Sequence, residues 1–189
     1  MIKEIIHAGV NHVNDHIADS RPNLLISILD VTSPLQRPDF KRFDSVLSLA
    51  FKDRCEEDYG LMDLWPDEPD LSTNYSVLGL VNERLFSIRD ANRIVEFFET
   101  HHKQDQEYNL IIHCKSGVGR SAAIAQFFGT LYEIPFKGTD PRGRFMPNYR
   151  VMRLLSKAHQ DKYPYVDKRN YTSIYELDVS RYWDINGGF

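Results

Sequence analysis

Between the apolar run Asn109-Leu-Ile-Ile-His113 and the stretch 120–132 there are only six residues, Cys114-Lys-Ser-Gly-Val-Gly119. The first run has the length of a buried strand, and the second carries apolar groups almost all round, as a buried helix does. Six residues leave room for a tight turn and nothing more. A strand that feeds a helix this abruptly belongs to a parallel α/β arrangement, in which ligands sit beyond the carboxyl ends of the strands.

The rest of the chain agrees with that arrangement. Asn23–Leu29 and Ser45–Phe51 are apolar runs of strand length, separated by the proline-containing stretch from Ser33 to Pro38. Leu85, Ile88, Ala91, Ile94, Val95 and Phe98 recur at helical spacing and predict a helix over 83–100. A last helix carries Val151, Leu154, Leu155 and Ala158, opened by Pro147 with Asn148 as its cap. Ile2, Ile5, Ile6 and Val10 predict a short amphipathic helix over 1–18, weakened by Gly9. The expected fold is therefore α/β: a single domain with a central, mostly parallel sheet flanked by helices.

At 189 residues the chain suits one domain. We expect that domain to span 1–160, with an aromatic-rich extension over 161–189 that carries Tyr163, Tyr165, Tyr171, Tyr175, Tyr182 and Trp183 and is packed on it, a partner-binding or phosphorylatable segment being the alternative. A net charge of -4 argues against nucleic acid as the main partner. No apolar run reaches the roughly 20 residues of a bilayer span and the N-terminus lacks the order of a signal peptide, so a cytoplasmic protein without membrane insertion is expected. Two cysteines, Cys55 and Cys114, are too few for a disulfide framework or a cysteine-based zinc site. The sequence leaves oligomeric state open.

The turn itself carries chemistry. Gly117 and Gly119 let successive backbone N–H groups point inward, and the helix beginning near Arg120 adds unpaired amides and the positive end of its dipole. This is an anion cradle lined by Lys115, Ser116, Gly117, Val118 and Gly119. The same field favours thiolate over thiol at Cys114, an ionisation unavailable to serine. Arg120 can offer paired donors to two oxygens of a tetrahedral oxyanion, and Ser121 can donate to the sulfur. Cysteine, arginine and cradle together point to attack on phosphorus. His113 is placed to hold the loop from behind. A Walker-type loop would require Gly-Lys followed by Ser or Thr, and the sequence has no such triplet.

His113-Cys-Lys-Ser-Gly-Val-Gly-Arg-Ser121 resembles the HCxxGxxRS signature of cysteine-dependent protein tyrosine and dual-specificity phosphatases at every fixed position. Over roughly residues 20–160, the segments ending at Asp53, around Asp90–Phe98 and over Pro147–Leu155 are similar to small bacterial and viral members. The resemblance implies a dual-specificity-phosphatase-like fold, a phosphoprotein substrate, a phosphocysteine intermediate on Cys114, and no metal or other cofactor. It also implies a general acid, for which two aspartates compete. Asp53 follows the strand Ser45–Phe51, the position of the acid in the dual-specificity branch. Asp67 lies in Trp65-Pro-Asp67, the triplet of the larger tyrosine phosphatases, and Asp63 is a third candidate. The strand-end argument favours Asp53. Enzymes acting on phosphoinositides, inositol phosphates or RNA 5′ ends share such a cradle, and so does a non-hydrolysing phosphoprotein-binding module.

Other residues invite attention. Cys55 lies two positions beyond Asp53, so if Asp53 reaches the cradle Cys55 can approach Cys114 for a protective disulfide, though an idle thiol is the simpler expectation. His7, His12 and His16 fit a solvated helix face better than a metal site. His101 and His102 suit a helix C-terminus. Arg142, Arg144 and Arg150 serve either substrate binding or loop solubility.

Overall fold

The structure, a computed structural model, describes residues 1–17, 20–30, 33–35, 37–54, 84–167 and 171. Among these the order is β1 (Ile2–Gly9), β2 (Asn23–Leu29), β3 (Ser45–Ala50), α1 (Ile88–His102), β4 (Tyr108–Cys114), α2 (Arg120–Leu131), β5 (Phe136–Gly138) and α3 (Tyr149–Lys162), with 3-10 turns at Val10–His16 and Phe40–Arg42. The strands form one sheet in the order β3-β2-β4-β1-β5, and every pairing is parallel.

Parallel strands are covered on both faces, which is why β2 and β4 read as unbroken apolar runs. Leu24, Ile26, Ile28, Leu110 and Ile112 face the larger core, shared with α1, α2 and α3. Leu25 and Ile111 face a smaller one with Ala8, Val13 and Phe43, closed by the two 3-10 turns.

The same double burial corrects the expectation of an N-terminal helix. Residues 2–9 form β1, seated between β4 and β5, and only the following Val10–His16 turn is helical in any sense. A strand buried on both sides has no period of two, so its isoleucines matched a helical period by accident. His7 is consequently a fully buried strand residue and not part of a solvated face; His12 is exposed and His16 lies on the turn. β5, a three-residue edge strand, was too short to announce itself.

α1 starts at Ile88, later than its spacing predicted. Ser87 and Asp90 form a reciprocal capping box, which satisfies orphan amides and fixes the start. Ahead of it the chain is tied to the end of β3: the Lys52 amide donates to the Arg84 carbonyl at 2.8 Å, and Arg84 bonds both the Ala50 carbonyl and Asp90. α3 is capped by Asn148, whose Oδ1 accepts from the Val151 amide at 3.1 Å, as expected.

Beyond α3, Tyr171 is buried, its hydroxyl 2.7 Å from His159 Nδ1. His159 Nε2 lies 2.8 Å from the Tyr132 hydroxyl, which also bonds Glu99. Burial alone would raise the Glu99 carboxyl, but bonds from His159, Lys103 and Tyr132 hold it well below its usual range. Tyr175, Tyr182 and Trp183 lie outside the described residues, and among the described residues no helix is long and apolar enough to cross a membrane.

Candidate active site

Because all strands run parallel, their carboxyl ends gather on one edge. Gly9 lies opposite Cys114 in the β1–β4 ladder, Asp30 follows β2, and Phe51 and Asp53 follow β3. The tight turn of residues 114–119 sits at the centre of that edge.

The turn is fixed from behind. The carbonyls of Lys115, Gly117, Val118 and Gly119 accept from the Val10 amide (3.4 Å), His7 Nδ1 (2.8 Å), the Met146 amide (3.1 Å) and the Asn148 amide (3.3 Å). In a trans peptide each N–H opposes the preceding C=O, so the amides of Ser116, Val118, Gly119 and Arg120 point away from these partners. Gly117 has φ of 80°, and a Cβ there would lie 2.5 Å from backbone atoms of Ala8 and Gly9. Only glycine fits that position.

Cys114 is buried, and its Sγ receives the Gly117 amide at 3.3 Å and lies 3.2 Å from Ser121 Oγ. Ser121 belongs to the first turn of α2, whose leading amides receive no side-chain cap. Three sources of positive potential thus surround the sulfur: a hydroxyl, an amide and a helix N-terminus.

Arg120 is almost wholly buried, with Nη1 donating to Asp30 Oδ1 and to the Phe51 carbonyl, both at 2.6 Å. Its Nε lies 3.6 Å from Asp53 Oδ2. Asp53 is in turn held by Asn148, whose Nδ2 donates to Oδ1 at 2.9 Å, and it sits over Gly119, where a Cβ would come within 2.6 Å of Oδ2.

Among the residues singled out from sequence, Cys114, Gly117, Gly119, Arg120, Ser121 and Asp53 thus come together. Val118 is buried in the turn, while Lys115 and Ser116 are exposed beside it. Asp67, Asp63 and Cys55 lie outside the described residues. Arg150 is neither a substrate contact nor a solubilising loop residue: it is fully buried and its Nε donates to the Phe86 carbonyl at 2.7 Å. The loop-holding bond comes from His7, while His113 Nε2 turns to Ser27 Oγ at 2.8 Å, itself bonded by Arg37 at 2.7 Å. Asp30 is not singled out from sequence, and His7, expected on a solvated face, holds the turn instead. Asp30 carried a legible signal, since it follows an apolar strand just as Asp53 does. Among the described residues no group of three or more His, Cys, Asp and Glu side chains is gathered to hold a metal ion.

No family model matches the chain, and no curated protein matches it. Among solved structures it is similar to the crystal structure of Tk-PTP in the active form, with 13% identity over 93% of this chain and 88% of that one and a TM-score of 0.37. A likeness of that size leaves function to be read from the site.

Burial lowers both His7 and His113 from the ordinary histidine value to about 4. His7 is therefore neutral at pH 7 and its Nδ1–H donates to Gly117. The unfolded chain takes up these protons near pH 6.5 and the folded chain only near 4, so stability is intact above the first value and lost as pH falls between them. The expected loss is on the order of 3 kcal/mol per histidine by pH 4. Urea denaturation from pH 7 to pH 4.5 checks this. His7→Gln, which keeps a donor without the titration, should reduce the dependence by about half and leave the His113 share.

Proposed function

We propose that the chain is a cysteine-dependent protein phosphatase of tyrosine or dual specificity, hydrolysing phosphomonoesters through a phosphocysteine. The observation that carries the reading is the convergence of Cys114, the inward amides of the turn and the buried Arg120, with Asp53 beside them, on one sheet edge. The HCxxGxxRS pattern supports the same reading.

In the first step Cys114 sulfur attacks phosphorus, an S–P bond forms, the ester P–O bond breaks, and Asp53 gives its proton to the leaving oxygen. The turn amides and Arg120 hold the non-bridging oxygens throughout. In the second step Asp53 takes a proton from water, water oxygen bonds to phosphorus, and the S–P bond breaks. Ser121 stabilises the departing thiolate, and inorganic phosphate leaves. Asp67 is the alternative acid in this scheme.

Turnover of a generic aryl phosphate tests the reading. Its absence, with phosphate still bound, would make the chain a binding module. Phosphopeptides, phosphoinositides, inositol phosphates and RNA 5′ ends, compared at one enzyme concentration, then sort the substrate classes; a preference for any but phosphopeptides would displace the protein substrate.

Asp30 acts on Arg120 as a positioning residue. Asp30→Asn weakens a charge-assisted bond, and we expect kcat/KM to fall roughly ten-fold. Sensitivity to the leaving group should stay as in the unmodified protein, because Asp30 transfers no proton. Rates for a series of aryl phosphates separate the two roles.

A further inference from the structure

Beside the turn, on the flank formed by Lys115 and Ser116, a cavity of about 310 Å³ opens between the Val10–His16 turn and the loop that follows β5. Its lining is dominated by donors. Lys115, Arg142, Arg144 and His12 line it, together with Thr139 and one carboxylate, Asp140.

The charges do not cancel. Arg144 is spent on Asp140, through Nε at 3.1 Å and Nη2 at 2.9 Å. That pairing holds the Asp140 carboxyl at about 2, so it remains ionised and remains engaged. The Asp140 carboxylate also receives the backbone amides of Arg142 and Arg144 at 3.2 and 3.0 Å, which fixes the loop as a turn. His12 is paired with Asp15 at 3.4 Å. Lys115 and Arg142 are left as exposed cations with no acidic partner among the described residues. Thr139 adds a hydroxyl oxygen that is itself buried and has no hydrogen-bond partner there.

We propose that this cavity is a second anion subsite, which receives a phosphate carried by the same substrate molecule as the phosphate held at Cys114. Two unneutralised cations match the charge of one phosphate dianion, and the Arg142 guanidinium can engage two of its oxygens. Lys115 and Ser116, which line the cavity, directly follow Cys114 in the same tight turn, so the two anion sites share one turn and suit phosphates on neighbouring positions of a substrate. A peptide with adjacent phosphorylated residues presents that chemistry, and so does an inositol ring with vicinal phosphates. The inference rests on the phosphatase reading for the first phosphate, but the subsite is a matter of binding and is tested apart from turnover.

The experiment compares a singly and a doubly phosphorylated peptide of one sequence, and inositol mono- and vicinal bisphosphate, on the full chain and on Arg142→Ala. Arg142 is exposed, so the substitution leaves the core intact. Two quantities are read: the ratio of kcat/KM between the double and the single member of each pair, and the ratio of their dissociation constants on Cys114→Ser. The expected result is a ratio of about ten or more for the unmodified protein, worth about 1.4 kcal/mol. Arg142→Ala, and Cys114→Ser carrying it, should bring both ratios toward one, and the pair with the larger ratio identifies the source of the second phosphate. Equal treatment of single and double members by the unmodified chain would overturn the subsite, as would a preference that survives Arg142→Ala. A binding preference without hydrolysis would leave the subsite standing and remove the phosphatase reading.

Discussion

Cys114→Ser is expected to lower turnover of an aryl phosphate by about 10⁴-fold or more, with the fold unchanged. The reason lies in what surrounds the sulfur. An amide at 3.3 Å, a hydroxyl at 3.2 Å and the uncapped N-terminus of α2 stabilise an anion at that atom. A serine hydroxyl occupies the same space, but its proton is held far too tightly for those donors to stabilise an alkoxide near neutral pH. Arg120 and the turn amides persist in the variant, so inorganic phosphate should still bind, and calorimetry checks that half of the expectation. Lost turnover with retained phosphate binding separates a missing nucleophile from a collapsed cradle.

The second large effect belongs to Asp53. Asp53→Asn should slow substrates with poor leaving groups, such as phenyl phosphate, by 10² to 10³-fold, an effect of the size expected for a lost general acid. Good leaving groups need no proton and should slow by less than about ten-fold. The substitution keeps an oxygen for Asn148 and removes a carboxylate 3.6 Å from Arg120, so phosphate binding should hold or strengthen. Rates over a graded series of aryl phosphates decide the matter. If Asp53→Asn slows all members alike and Asp67→Asn instead slows poor leaving groups far more than good ones, the acid is Asp67.

What the sequence made legible follows burial and chain geometry. β2, β3, β4, α2 and the cap of α3 were readable because each carries a local signature: apolar runs of strand length, an all-round apolar helix, and Pro147 ahead of Asn148. β1 was misread because both its faces are covered, and no local rule distinguishes that from a helix face. The contacts of Arg120 with Asp30, Phe51 and Asp53 join the ends of different strands, and the hold of His7 on Gly117 spans 110 positions. Such pairs follow from sheet order, which periodicity does not encode. The proposed nucleophile, cradle and clamp sit in one continuous stretch, Cys114–Arg120, and that is why the chemistry could be proposed before the fold.

The most direct test is to react the protein with an aryl phosphate, quench in acid within one turnover, and locate the phosphoryl group by mass spectrometry. The account predicts a phosphoryl group on the peptide containing Cys114, formed as fast as the phenol is released and absent from Cys114→Ser. Phenol release with Cys114 unmodified, or undiminished turnover by Cys114→Ser, would contradict it.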